Sequence, residues 1–407
     1  MKKILLILFL STTLIGCNFT PETTTAELVL VDTTNYLEIT TVEELKNIEM
    51  NKSYILMNNL DLTGEEWVPL GTYREPYLGN FDGNGMTISN LTISIDNQYN
   101  GLFGYVNGQV NDLKIIDFAI DYEAKLITFA GGLAGAISGH AYNIEVSGNI
   151  QIENTRSNTY VGLLVGMSVK MDESSAIANF IPVIINNNQS SGIINVVGER
   201  MIFAGGLIGK SFNSRVYDNL ADSTIDVVAN NSSAAVGGLI GHNYSGLSSG
   251  YEAERIALNI AVYNNISNST INSQAIDYIL YTGGLIGYNY FGYLYDNFSA
   301  TDIVSDGKEN CVGLLIGEDW HSDIQNVVVI GEINGLIQED GTYHLGAFVG
   351  RSFGVSSVIS SHWYEDSQQF SDMEGYVDFA DLSNVTWYEF ALEWDIDFIN
   401  KLIGFIE

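Results

Sequence analysis

Gly205-Gly-Leu-Ile-Gly209 stands near the middle of the chain, and Gly237-Gly-Leu-Ile-Gly241 and Gly283-Gly-Leu-Ile-Gly287 repeat it letter for letter. Looser copies surround these three: Gly101-Leu-Phe-Gly104, Gly131-Gly-Leu-Ala-Gly135, Gly162-Leu-Leu-Val-Gly166, Gly313-Leu-Leu-Ile-Gly317 and Gly346-Ala-Phe-Val-Gly350. Anchored on the glycine before the first apolar residue, the copies start at Gly101, Gly132, Gly162, Gly206, Gly238, Gly284, Gly313 and Gly346. The period is about 30 residues, except that two intervals, Gly162 to Gly206 and Gly238 to Gly284, carry roughly half a repeat more.

Outward from each copy, the chain alternates apolar and polar residues with period two, as in Ile144-Glu-Val-Ser-Gly-Asn-Ile-Gln-Ile152 and Thr224-Ile-Asp-Val-Val228. That pattern predicts strands with one buried face. The glycines allow sharp corners and close backbone approach between short strands. The chain has only 4 prolines, which suits continuous hydrogen-bonded ladders. Asp112, Asn143, Asn219, Asn297 and Asn326 recur after the repeat glycines, and the spacing predicts one ladder of side chains stacked at a turn.

A unit of this size cannot bury an apolar face alone, whereas stacked coils share one core. The expected fold is therefore all-β, a β-solenoid in the form of a right-handed parallel β-helix. A propeller would need longer, more even repeats, and a pair of sandwiches would not show eight copies. Solenoid ends expose strand edges that must be covered. Thr41-Val-Glu-Glu44 has capping-box spacing, and Val42, Leu45 and Ile48 lie on one face of the short helix it predicts, the candidate N-terminal cap. Trp387, Phe390, Leu392, Trp394, Ile396 and Phe398 make an aromatic-rich candidate plug for the other end.

The G-G-L-I-G units, with the lead-in Tyr54–Leu62, Trp67–Gly71 and Gly79–Ile93, resemble the GLUG motif of bacterial surface proteins. That motif occurs in adhesins and in the non-catalytic part of IgA-specific zinc metallopeptidases. The resemblance covers roughly residues 42 to 360 and implies a surface location.

At the N-terminus, Lys2 and Lys3 precede the apolar run Ile4–Leu10, which is too short to span a bilayer and reads as a signal region. Leu14-Ile15-Gly16-Cys17 then resembles the lipobox of bacterial lipoproteins. The resemblance implies lipidation of Cys17 and an extracytoplasmic, surface-exposed body tethered to a cell or outer membrane. The expected organisation is a signal peptide (1–16), a flexible lipidated tether (17–30), a cap with first coils (31–98), the repeat solenoid (99–360) and a C-terminal cap (361–407).

Acidic residues number 49 against 16 basic ones, a net charge of −33. Such a surface repels nucleic acid and anionic headgroups, so the expected contact with the membrane is the lipid alone. With Cys17 acylated, Cys311 has no intrachain disulfide partner.

Little here points to catalysis. Zinc peptidases need H-E-x-x-H, and the five histidines, His140, His242, His321, His344 and His362, are scattered. Only His140 and His321 share an offset from the repeat, five units apart, too far for one ion. No metal site or other cofactor is expected, with only Ca²⁺ left open. Asp82, Asp395 and Asp397 are the nearest candidates for a polysaccharide-cleaving site, although Asp82 in Asp-Gly-Asn-Gly reads better as a turn former.

The two long intervals place extra residues, Met167–Phe180 and His242–Arg255, at one point of the unit, which predicts loops leaving one edge. With the aromatic run Tyr288–Tyr295 they nominate Tyr244, Tyr251, Tyr288, Tyr290 and Tyr293 as binding residues. Mutual stacking of these rings is the competing reading. The expected function is a non-catalytic, adhesin-like surface lipoprotein for a host, matrix or glycan ligand. A polysaccharide-acting enzyme and an envelope spacer are the alternatives.

Overall fold

The computed structural model describes residues 35–170, 181–245, 260–335, 341–353, 357–359 and 362–364. Within them the expected all-β solenoid is present, and every strand pairing is parallel. Each of the eight repeats sends one strand into a single eight-stranded sheet, from Phe103–Val106 through Ile208–Phe212 to Val349–Phe353. Twenty-seven further strands wrap the remaining faces in one continuous hydrogen-bonded sheet.

The repeat explains this register. The apolar residue at its fourth position stacks as Phe103, Ala134, Val165, Ile208, Ile240, Ile286, Ile316 and Val349 on successive coils. All but Val349 are fully buried. Each coil thus covers the apolar floor of the next, as a one-dimensional stack requires.

The second glycine of the unit sits where a Cβ would meet both the facing wall of its coil and the backbone of the next. A Cβ on Gly206 would lie 2.5 Å from Ser223 Oγ and 2.1 Å from the Gly238 carbonyl, and one on Gly238 would lie 2.2 Å from Ser267 Oγ. Serine hydroxyls of this wall satisfy the carbonyls of the second glycines, Ser190 Oγ donating to Gly206 O at 2.9 Å and Ser267 Oγ to Gly284 O at 2.9 Å, while Ser223 Oγ pairs with Ser269 Oγ at 3.0 Å.

The asparagines form two columns where the sequence suggests one. Asp112, Asn143, Asn187, Asp218, Asn264, Asp296 and Asn326 occupy the left-handed corner, with φ between 51° and 58°. One residue further on, Asn188, Asn219, Asn265 and Asn297 make a fully buried ladder. In it the side-chain oxygens of Asn219, Asn265 and Asn297 each accept from the backbone N–H and the amide of the asparagine on the coil before, at 3.0–3.1 Å, and that of Asn188 accepts from the Ile144 N–H at 3.0 Å. Asp112, Asn143 and Asn326 thus belong to the corner, and Asn219 and Asn297 to the ladder. Asn188 and Asn265 escape an offset count because the long insertions displace them.

The helix expected after Thr41 runs Val42–Lys46, with both capping-box hydrogen bonds formed and Leu45 buried. The first strand, Leu37–Ile39, pairs with Tyr54–Leu56. At the other end the ladder continues to His362–Tyr364, paired with Val328–Ile330. The proposed signal, the tether with Cys17, and the segment Trp387–Phe398 with Asp395 and Asp397 lie outside the described residues.

Candidate functional site

Two features of the coil surface could serve function, and both follow from register. The first is an open groove of about 500 Å³ crossing five coils, lined by 191–193, 222–224, 268–270, 300–302 and 330–332. Its floor is a column of small residues, Gly192, Ser223, Ser269, Thr301 and Gly331. The end glycines adopt φ +141° and +138°, where a Cβ would fall 1.8 Å and 1.9 Å from neighbouring carbonyls. Side chains at the flanking positions stand outward, including Asp222, Thr224, Thr270, Asp302 and Glu332. Carboxylates here are held by donors from adjacent coils: Asn268 donates to Asp222 at 3.1 Å, and the Glu332 N–H to Asp302 at 3.0 Å.

The second feature is a seam on the outer side of the repeat turn. One wall is the column Tyr99, Phe129, Tyr160, Phe203, Ala235, Tyr281, Cys311 and His344. The other is Tyr105, Ala136, Met167, Lys210, His242, Tyr288, Glu318 and Arg351. Its early part is a stack of rings, Tyr99, Phe129, Tyr160 and Phe203, at 4.7–4.9 Å. His242 follows, buried against Phe203 and Tyr288, and neither of its ring nitrogens has a hydrogen-bond partner among the described residues. Burial, with Lys210 on the neighbouring coil adding to it, holds the His242 pKa down at about 3, so the ring is neutral.

The last part of the seam is charged. Arg351 bonds Glu309 and the buried Glu318, its Nε donating to Glu318 at 2.6 Å. His344 Nε2 lies 3.8 Å from Glu309 Oε1, and Cys311 Sγ lies 3.8 Å from Glu318 Oε2. Burial pushes the Cys311 thiol up to about 12, so it is protonated. The histidine survey by sequence did not reach this group because its members come from two coils and only one is a histidine.

Of the nominated tyrosines, Tyr244, Tyr288, Tyr290 and Tyr293 are half-buried, and the first three belong to ring clusters. Tyr244 stacks between Phe212 and Tyr290 at 4.9 and 5.0 Å, and this column continues through Trp320 to Phe353. Tyr288 packs edge-on against Tyr281 and His242 in the seam. Tyr293 is in register with Ala261 and Asp323. Tyr251 lies outside the described residues. The two insertions begin later than their sequence suggests, since Met167–Val169 and His242–Tyr244 complete strands of the eight-stranded sheet. Both do depart from the end of that sheet, and their remainders, 171–180 and 246–259, lie outside the described residues.

Asp82 accepts from the Asn84 N–H at 2.7 Å, and Asn84 and Gly85 both have positive φ, the geometry of a turn former. Burial raises the Asp82 pKa, and Asp112 adds to the effect. Cys311 is a free, buried thiol. No described helix is long and apolar enough to cross a membrane.

No family model matches the chain. A stretch of 107 residues is 33% identical to a protein of Evansella cellulosilytica described as a "Putative Gly-rich membrane protein". The match covers 24% of this chain and only 12% of that relative. Among solved structures the chain is similar to a "putative immunoglobulin A1 protease" from Bacteroides ovatus, at 12% identity and a TM-score of 0.44, over 79% of this chain and 84% of the other.

Proposed function

We propose that the chain is a non-catalytic, lipid-anchored surface solenoid that binds an extended ligand rich in hydroxyl groups along the groove of 191–193 to 330–332. The observation that carries this reading is the groove itself: a largely polar surface crossing five coils, about 4.8 Å apart, offers a polymer contacts at regular steps. Its carboxylates, Asp222, Asp302 and Glu332, accept from ligand hydroxyls and repel polyanions, which favours a neutral glycan. Anchoring rests on the lipobox-like Leu14–Cys17, and the surface setting on the GLUG-like repeats.

The test is a glycan and matrix-protein array probed with the mature chain, beside a variant carrying Thr270→Trp and Asp302→Lys. Binding that the variant loses, with no new reducing ends released from the bound glycan, is expected. Binding untouched by the variant overturns the groove assignment, and released product overturns the non-catalytic one. Anchoring is tested separately: Cys17→Ala moves the protein from the membrane fraction to the soluble fraction, and unchanged fractionation sinks the lipid assignment.

A further inference from the structure

The charged end of the seam holds donors of three kinds at one point. Glu309 and Cys311 lie two residues apart on one strand and so face the same side, and His344 is the register partner of Cys311 on the next coil. A carboxylate oxygen, a thiol sulfur and an imidazole nitrogen from these residues lie within 4.8 Å of one another. The His344 to Glu309 approach, 3.8 Å, lies within about half an ångström of the roughly 3.4 Å between an oxygen and a nitrogen ligand on one tetrahedral ion. The set is graded in exposure: Cys311 is fully buried, while the side chains of His344 and Glu309 keep 34% and 32% of their surface open, leaving an entry path from solvent.

We propose that Glu309, Cys311 and His344 form a binding site for a divalent cation of the Zn²⁺ class, independent of the groove. Thiolate with imidazole selects a borderline-soft ion, and a carboxylate completes three protein ligands. Ca²⁺ and Mg²⁺, which take oxygen ligands, do not fit this set.

Charge supports the assignment. Two carboxylates, Glu309 and Glu318, share one guanidinium, Arg351, so the group carries one negative charge in excess with the thiol protonated. A divalent ion that takes Glu309 from Arg351 and displaces the Cys311 proton leaves the site neutral. One proton is released, and Arg351 keeps Glu318 as its partner. Glu318, which accepts from the Cys311 thiol at 3.8 Å before the proton leaves, is then placed to supply the fourth donor in place of water. Because the ligands belong to adjacent coils, the ion clips the seventh repeat to the eighth.

The experiment uses the full chain in detergent, stripped with chelator and carrying Cys17→Ser so that only one thiol remains. Zn²⁺ is titrated against a chromophoric chelator, and Co²⁺ is followed by its thiolate charge-transfer absorption. The expected result is one equivalent bound and a sulfur-to-cobalt band, with Cys311→Ser and His344→Gln each weakening Zn²⁺ at least tenfold. Arg351→Met, which frees Glu309, should tighten binding. Circular dichroism checks that each variant folds, and Zn²⁺ should raise the melting temperature of the Cys17→Ser chain but not of Cys311→Ser. No stoichiometric binding, or equal affinity in Cys311→Ser, His344→Gln and the parent, means the group is a salt-bridge network around Arg351 and overturns the site.

Discussion

Asn265 has no exposed surface, and its side chain serves three coils: its oxygen accepts from Asn219, and its amide donates to Asn297 and to the Val216 carbonyl. Asn265→Ala strands the Asn219 N–H away from water, and leaving such groups unmade costs about 1–3 kcal/mol each. The expected loss is roughly 2–4 kcal/mol in denaturant unfolding, and a loss under about 0.5 kcal/mol would show that the ladder is ornamental. Gly238→Ala acts by crowding, with its Cβ 2.2 Å from both Ser267 Oγ and the Gly284 carbonyl. A cost of about 3 kcal/mol is expected. Adding Ser267→Gly should recover only part of it, since the carbonyl remains. At this scale the sequence was readable where a column is continuous, as in the repeat glycines. It misled where neighbouring columns share chemistry, because asparagine suits both a left-handed corner and a buried ladder and an offset count cannot separate the two.

The seam is an element whose energetics depend on pH. His242 has its pKa depressed from 6.5 to about 3 by burial, with Lys210 adding to the effect, while Tyr288, Tyr244 and Phe203 pack against it. A group that is harder to protonate in the folded state favours folding above its unfolded pKa. That contribution is lost as pH falls from about 6.5 towards 3. By pH 5 the loss is on the order of 1–2 kcal/mol. His242→Phe should remove this slope, read as the difference in unfolding midpoint between pH 7.5 and pH 5, and an unchanged slope would falsify the assignment. The aromatic run Tyr288–Tyr295 was legible as a cluster, but its direction was not. Tyr288 and Tyr290, two residues apart, face the same side of one strand, and only the ladder shows that Tyr290 joins the stack from Phe212 to Phe353 while Tyr288 enters the seam.

For the repeat body as a whole, stability is close to a sum over coils and the interfaces between them. Deleting residues 206–237 joins Gly205 to Gly238, restores the repeat in phase, and brings Asn188 under Asn265 in place of Asn219. This chain should fold with a lower but still cooperative melting transition, whereas deleting 206–221, half a coil, should unfold it. Equal behaviour of the two in circular dichroism would refute stacking in phase. The charge of −33 is a load on the same body, because parallel stacking brings identical positions about 4.8 Å apart. Amides stacked beside carboxylates relieve it, as where Asn268 and Asn272 donate to Asp222 and Asp226. Salt screens what remains, so the melting temperature should rise between low and physiological ionic strength.

The sequence by itself determined the class of fold, its period and its phase. One-dimensional stacking converts a repeated glycine and a repeated apolar residue directly into corners and core, with no long-range choice left open. Only the tertiary structure decided which residues from different coils meet. Insertions of unequal length separate register from sequence offset, so Asn188 joins Asn219 through backbone pairing alone, whereas Cys311 and His344 each stand two residues before a repeat glycine and meet at equal offset. The groove and the charged seam are both made in this way, each coil giving one or two residues to a feature that exists only once the coils are stacked.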